Sequence, residues 1–243
     1  MPDLINKQAI ILAGGFGTRL RTVLPDLPKC MAPIKGRPFL ECMLHFLWQQ
    51  GIDHIVLSLG YRHQVIMDYL NGHHPGKKID FVVEDAPLGT GGAIAFALQK
   101  INAPEVFVLN GDTFFNGKLA KLESFHHLHQ ADCSIMLKPM EDAARYGTVV
   151  LEDDHRIKAF EEKKSGASGL INGGIYLLDK GAFERYSRVK KFSFETDYLA
   201  TNLQDGRFFG QVQDEYFIDI GIPADYERAQ REWEVFFPLS GQK

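Results

Sequence analysis

Short, unbroken apolar runs alternate with amphipathic segments through the first half of the chain. AIIL (9–12), HIVLSLG (54–60), IDFVVE (79–84) and EVFVLNGD (105–112) read as buried strands. Between them, FLECMLHFLWQQG (39–51) and RHQVIMDYLNG (62–72) have helical spacing and a closing glycine, and GGAIAFALQK (91–100) gives a third helix. Strands without a polar face, separated by helices, predict a parallel sheet covered on both sides. With right-handed crossovers the expected fold class is α/β: a Rossmann-like, doubly wound, mostly parallel sheet with helices on both faces. The second half is richer in strands, at 133–139, 146–152, 156–163, 173–179 and 216–221, the second and third forming a hairpin around DDHR. Helices are expected at 193–203 and 223–236. No linker, repeat or low-complexity tract interrupts the pattern, so 1–243 is expected to be one domain with a β-rich subregion after about residue 130.

Composition narrows the function classes. A formal charge of −4, with lysines and arginines scattered, offers no stripe for nucleic acid or an anionic membrane. Cys30, Cys42 and Cys133 have unrelated spacings and no CxxC, which reads as free thiols rather than a zinc knuckle or disulfide framework. The apolar run from Ala9 to Ala13 is too short for a signal-peptide core or a membrane span, and a cytoplasmic protein is expected.

In open parallel sheets, ligands sit beyond the carboxyl ends of the strands. The first strand runs into Ala13-Gly14-Gly15-Phe16-Gly17-Thr18-Arg19. Glycines let backbone N–H groups approach an anion, and an arginine can close over phosphate. A Walker A loop is absent. The dinucleotide fingerprint is matched only in part, with Leu20 where its third glycine belongs and no acidic residue ending the second strand. Taken alone, the stretch reads by default as a tight turn with a surface arginine.

It is followed, in order, by PKCMAPI (28–34), PLGTGGA (87–93), NGD (110–112), FEEK (160–163), NGGIY (172–176) and FIDIG (217–221). This series resembles the sugar-1-phosphate nucleotidylyltransferases over essentially the whole chain, and within them looks most like the branch that guanylylates D-glycero-D-manno-heptose 1-phosphate. Mannose 1-phosphate is the alternative sugar. The resemblance implies the nucleotide-diphospho-sugar transferase type of fold, with a nucleotide half at about 8–130 and a sugar-phosphate half at 131–236. It implies attack of a sugar-phosphate oxygen on the α-phosphorus of GTP, releasing pyrophosphate, with Mg²⁺ as cofactor. A homodimer is expected only because such assemblies are common.

By the same resemblance, Gly14, Gly15, Gly17, Thr18 and Arg19 would cradle the triphosphate, with Leu12 and Ala13 also at the nucleotide. Glu84, Pro87, Leu88, Gly89, Thr90, Gly91, Asn110 and Gly111 would complete the nucleotide site. Arg19, Lys29 and Lys163 are the expected catalytic cations, and Asp112 and Asp219 the expected metal ligands. Tyr146, Gly147, Glu162, Lys163, Asn172, Gly173 and Glu195 are expected at the sugar phosphate, with Arg145 bordering it. Cys30 and Thr22 stand where family members often carry proline, which bears on loop shape rather than on charge.

Two other classes compete. A glycosyltransferase would present DxD where this chain has Asn110-Gly111-Asp112, and a non-catalytic nucleotide-sugar-binding domain would have no need of Arg19, Lys29, Asp112 and Asp219 together. His126, His127 and His129, lacking any HExxH pattern, are expected on a solvated helix face.

Overall fold

A computed structural model describes residues 4–15, 17, 20, 24, 26–143, 145–161, 168–186 and 190–236, the last four by backbone alone. Four strands of the first half lie side by side and parallel: β1 (Gln8–Ala13), β4 (His54–Leu59), β5 (Lys78–Val83) and β6 (Glu105–Asn110), in the order β6-β1-β4-β5, while the two-residue strands β2 (Pro33–Ile34) and β3 (Arg37–Pro38) pair only with each other. Side chains alternate across the pleat, so adjacent residues of one strand enter two separate cores. Ile11 packs into a core with Phe39, Leu44, Ile66 and Leu122, from helices α1 (Phe39–Gln49), α2 (His63–His73) and α4 (Leu119–His129). Ile10 packs into a second core with Ile94, Phe183 and Phe194, which brings in α3 (Gly89–Ala97) and α5 (Lys180–Tyr186). Both faces are therefore covered, as the unbroken apolar runs require.

The second half extends the same sheet with antiparallel strands. Strand β11 (Gly169–Asp179) pairs with β6, with β8 (Cys133–Met140) and, at Ile171, with β9 (Thr148–Leu151), β8 and β9 flanking Ile171 on opposite edges. Strands β9 and β10 (Ile157–Glu161) form the expected hairpin, and β12 (Phe208–Val212) adds in parallel to β8. The register of β11 against β8 breaks between Asn172 and Tyr176, at Gly173 and the left-handed Gly174. Any side chain at Gly173 would sit 2.4 Å from the Phe115 ring, so this bulge needs a glycine.

Three expectations need correction. Gly72 does not close α2: the helix runs through it to His73, and the chain turns later, at left-handed Gly76. The segment at 193–203 is no regular α-helix but a π-helical turn at Phe194–Leu199 followed by a 3₁₀ turn at Ala200–Asn202. Its first turn is capped by the Ser193 hydroxyl, which accepts from the Thr196 N–H.

The third correction is His126, which is not solvated but 2% exposed, with Nδ1 2.9 Å from the Ser134 hydroxyl. Leu119, Leu122 and His126 share one helix face, which turns the histidine inward. Burial pushes its imidazole down to about 4. The folded state then holds the ring neutral while the unfolded chain protonates it below about pH 6.5, so its contribution is complete above that pH and lost as pH falls towards 4. Urea melts should show roughly 2 kcal/mol of stability lost through this group between pH 7.5 and 5. His126→Gln should flatten that part of the profile; an unchanged slope would assign the acid sensitivity elsewhere.

Candidate active site

The carboxyl ends of the four parallel strands meet with almost nothing between them. Gly111 donates its N–H to the Leu12 carbonyl at 2.9 Å, and a Cβ on Gly111 would lie 2.4 Å from that oxygen. A Cβ on Gly60 would lie 2.8 Å from the Gly14 carbonyl oxygen, and one on Gly14 would lie 2.9 Å from Glu84 Oε1. The glycines after β1, β4 and β6 thus allow the strand ends to close on one another. They leave a cleft of about 400 Å³.

Leu12, Ala13, Gly14, Gly15 and Gly17 form one wall of this cleft; Glu84, Pro87, Gly89 and Thr90 form another; Asn110, Gly111 and Asp112 lie along β6 and its turn. Lys29 and Glu195 also line it. Three further lining residues, Cys30, Ala93 and Gly221, were not anticipated as site residues. Cys30 follows Lys29 and Ala93 lies one turn beyond Gly89, so their spacing from recognised motifs was the available signal. Burial pushes the Cys30 thiol up to about 12, which leaves it a packing residue rather than a nucleophile.

Leu88 and Gly91 sit behind the cleft. The Phe192 N–H donates to the Leu88 carbonyl at 3.0 Å, and the Gly91 N–H donates to the Phe192 carbonyl at 3.0 Å. A Cβ on Gly91 would overlap the Phe192 ring, so these two residues clamp the segment before the π-helical turn onto the start of α3. The clamp continues through side chains. Thr90 donates its hydroxyl to Glu195 Oε2 at 2.8 Å and accepts the Phe194 N–H at 2.8 Å. Tyr176 donates to Glu195 Oε1 at 3.5 Å and accepts from the Asn172 amide at 2.8 Å. Burial, then the Glu195 carboxylate, push the Tyr176 phenol far up, so it stays a neutral donor. Glu195 thereby ties α3 of the first half to the bulge of β11 in the second.

Strand β6 stops at Asn110, and Asp112 lies in the turn before β7 (Thr113–Phe115). Strand β13 (Phe217–Asp219) pairs antiparallel with β7, placing Asp219 opposite Thr113, and the Ile220 N–H donates to the Asp112 carbonyl at 3.0 Å. This two-stranded ribbon brings together carboxylates far apart in the chain. Lys29, on a single 3₁₀ turn at Lys29–Met31, places Nζ 2.5 Å from Asp112 Oδ2 and 3.7 Å from Asp219 Oδ1. Burial, then the neighbouring Asp112, push the Asp219 carboxyl up, while Lys29 and the Gly221 N–H, donating at 2.7 Å, oppose them.

The donor chemistry of this pair fits a magnesium ion. Two carboxylates converge, a cationic ammonium already rests on them, and among the described residues no cluster of three or more His, Cys, Asp and Glu offers a closed cage. Mg²⁺ is usually held by one or two carboxylates together with substrate phosphate rather than by a full protein cage.

Tyr146 and Gly147 lie outside the lining of the cleft. Tyr146 packs edge-on against Phe217, and Arg145 is bound to Asp225 at 2.6 Å on α6 (Pro223–Phe236). A Cβ on Gly147 would come 3.1 Å from the Glu161 carbonyl oxygen at the base of the β9–β10 hairpin. Asn172 and Gly173 sit at the β11 bulge, with the Asn172 side-chain Oδ1 accepting the Gly174 N–H at 3.0 Å. Thr18, Arg19, Glu162 and Lys163 lie outside the described residues. Among the described residues, no helix is long and apolar enough to cross a membrane.

Comparison with known proteins places these features in context. A family model described as nucleotidyl transferase matches residues 8–234. A D-glycero-alpha-D-manno-heptose 1-phosphate guanylyltransferase from Aneurinibacillus thermoaerophilus is 47% identical over 229 residues, which are 94% of this chain and 99% of that protein. One from Campylobacter jejuni is 45% identical over 90% of this chain and 96% of its own. The crystal structure of HddC from Yersinia pseudotuberculosis superposes with a TM-score of 0.86 at 40% identity, covering 94% of this chain and all of that one. That protein has also been solved in complex with GMP-PN.

Proposed function

The chain belongs to the nucleotidyl transferase family, and from that premise we propose that it joins GTP to D-glycero-D-manno-heptose 1-phosphate, giving GDP-heptose and pyrophosphate. The observation that carries this reading is the meeting of Lys29 and Asp112, which line the glycine-walled cleft, with Asp219, which lies beside Lys29 outside the lining. Similarity to the two heptose 1-phosphate guanylyltransferases, over nearly their full lengths, supports the choice of sugar. The GMP-PN complex of HddC supports a guanine nucleotide.

Both reactants are polyanions, so bringing them together is mainly an electrostatic problem. The N–H groups of the Gly14–Gly17 turn would face the triphosphate, with Arg19 and Lys29 drawing off its charge. Asp112 and Asp219 would hold Mg²⁺, which supplies charge neutralisation at the phosphates. Glu84 would accept hydrogen bonds from the guanine edge. In the second half, Glu162, Lys163, Asn172 and Glu195 would receive the sugar phosphate, whose oxygen is already anionic near neutral pH and needs no separate general base. Residues 8–130 and 131–236 then act as nucleotide and sugar-phosphate halves of one domain, and such an enzyme would serve nucleotide-sugar synthesis in the cytoplasm.

Pyrophosphate release in Mg²⁺ tests the proposal, with GTP, ATP, CTP and UTP each offered against heptose 1-phosphate and mannose 1-phosphate. Release is expected with GTP and the heptose, at least tenfold above any other pair. A preference for mannose 1-phosphate would reassign the sugar. Nucleotide binding without release in any pair would point to a non-catalytic nucleotide-sugar-binding domain.

A further inference from the structure

Lys29 stands in an unusual relation to the two carboxylates. Its side chain is only 11% exposed, and its Nζ contacts Asp112 at 2.5 Å while lying 3.7 Å from Asp219. The stem is lodged under the glycine turn, since a Cβ on Gly17 would come 3.2 Å from Lys29 Cβ. The ammonium end is lodged against the turn after β13, where a Cβ on Gly221 would come 3.1 Å from Nζ and 2.8 Å from Asp219 Oδ1. The cation is thus seated between two loops.

We infer that Lys29 is a built-in counter-ion of the Asp112–Asp219 pair, one that a divalent cation must displace before both carboxylates can hold it. This rests on the proposed role of the pair as metal ligands. Two partly buried carboxylates repel one another unless a positive charge lies between them, and the ammonium meets that need in the free enzyme. A magnesium ion sits about 2.1 Å from its oxygen ligands. On an oxygen that already carries the ammonium at 2.5 Å it would lie roughly 4 Å from that nitrogen, where two cations in a partly buried site repel one another and metal binding drives the ammonium away. A bare cation arriving alone must strand Lys29 without an anionic partner. A cation arriving with a triphosphate brings phosphate oxygens that can receive the freed ammonium. The lysine therefore opposes binding of free metal and favours entry of the metal together with nucleotide. By this reading one side chain serves two successive anions.

Mn²⁺ titration of the full chain, followed by electron paramagnetic resonance, tests this without any turnover. Lys29→Gln should bind free Mn²⁺ about tenfold more tightly than the wild type, or better. The double variant Lys29→Gln/Asp112→Asn should lose that gain. Arg207→Gln removes the same charge beside Asp132, at 3.1 Å, and should leave Mn²⁺ affinity within about twofold. An equal gain in Arg207→Gln, or none in Lys29→Gln, would overturn the counter-ion role. Should Lys29→Gln melt below the assay temperature, Lys29→Met is read in its place. The metal assignment has its own arm: with GTP present, Asp112→Asn should weaken Mn²⁺ binding to the protein. If it does not, that assignment fails, whatever Lys29 does.

Discussion

Asp112→Asn should reduce kcat for pyrophosphate release about 10³-fold or more, equivalent to roughly 4 kcal/mol of barrier, while the melting temperature stays within a few degrees. The substitution keeps volume and shape, and the backbone bond from the Ile220 N–H to the Asp112 carbonyl does not depend on the side chain. Thr113 can still donate its hydroxyl to the remaining amide oxygen, now 3.2 Å away. What disappears is one of two negative charges at the ribbon of β7 and β13, and with it the oxygen that carries Lys29 Nζ. The Asp112 side chain is 40% exposed, so loss of its ion pair should cost little folding free energy after screening by solvent. On the proposed mechanism catalysis, by contrast, would depend on that charge at the place where phosphate charge must be balanced. Steady-state kinetics in Mg²⁺ together with a thermal melt separate the two effects. A kcat within tenfold of wild type would remove Asp112 from the reaction; a collapse in melting temperature would make it a fold residue instead.

Local pattern revealed much of this arrangement, and pairing between distant segments revealed the rest. The four parallel strands were legible because each is a short, mainly apolar run ending near a glycine or polar turn. The glycine turn at 13–17 was legible for the same reason, and it lies where the fold principle for open sheets puts a ligand. Strand β7 is only three residues long, and its partner β13 lies about a hundred residues further on. No periodicity in so short a ribbon could show that Asp112 and Asp219 meet; only the order of family motifs suggested it. The network from Thr90 through Glu195 to Tyr176 was equally hidden, because a register break at Gly173 and Gly174 sets which way Asn172 and Tyr176 face. His126 is a different case. Its spacing from Leu119 and Leu122 already marks the apolar face of α4, although His127 and His129 beside it give the segment a polar look.

The second large effect is expected at Glu84. Its carboxylate lines the cleft beside Gly14, with Oε1 accepting from the Ser58 hydroxyl at 3.3 Å and Oε2 from the Leu88 N–H at 2.9 Å. Each oxygen keeps a further lone-pair direction for a ligand. Guanine presents two neighbouring donors, N1–H and the 2-amino group, whereas adenine presents an acceptor at N1 beside its amino donor. An acceptor-only carboxylate therefore suits guanine, and a buried mismatch of donor and acceptor is costly. Glu84→Gln keeps the shape and one acceptor oxygen but turns the other into a donor. It should lower kcat/KM for GTP about 10²-fold and leave that for ATP unchanged or raised, narrowing the GTP over ATP preference by the same factor. Glu84 also orders the loop through Leu88, and damage to that loop alone would depress both nucleotides equally. The ratio of the two specificity constants thus distinguishes base reading from loop support: a fall for GTP alone assigns Glu84 to the base, and an equal fall assigns it to the scaffold.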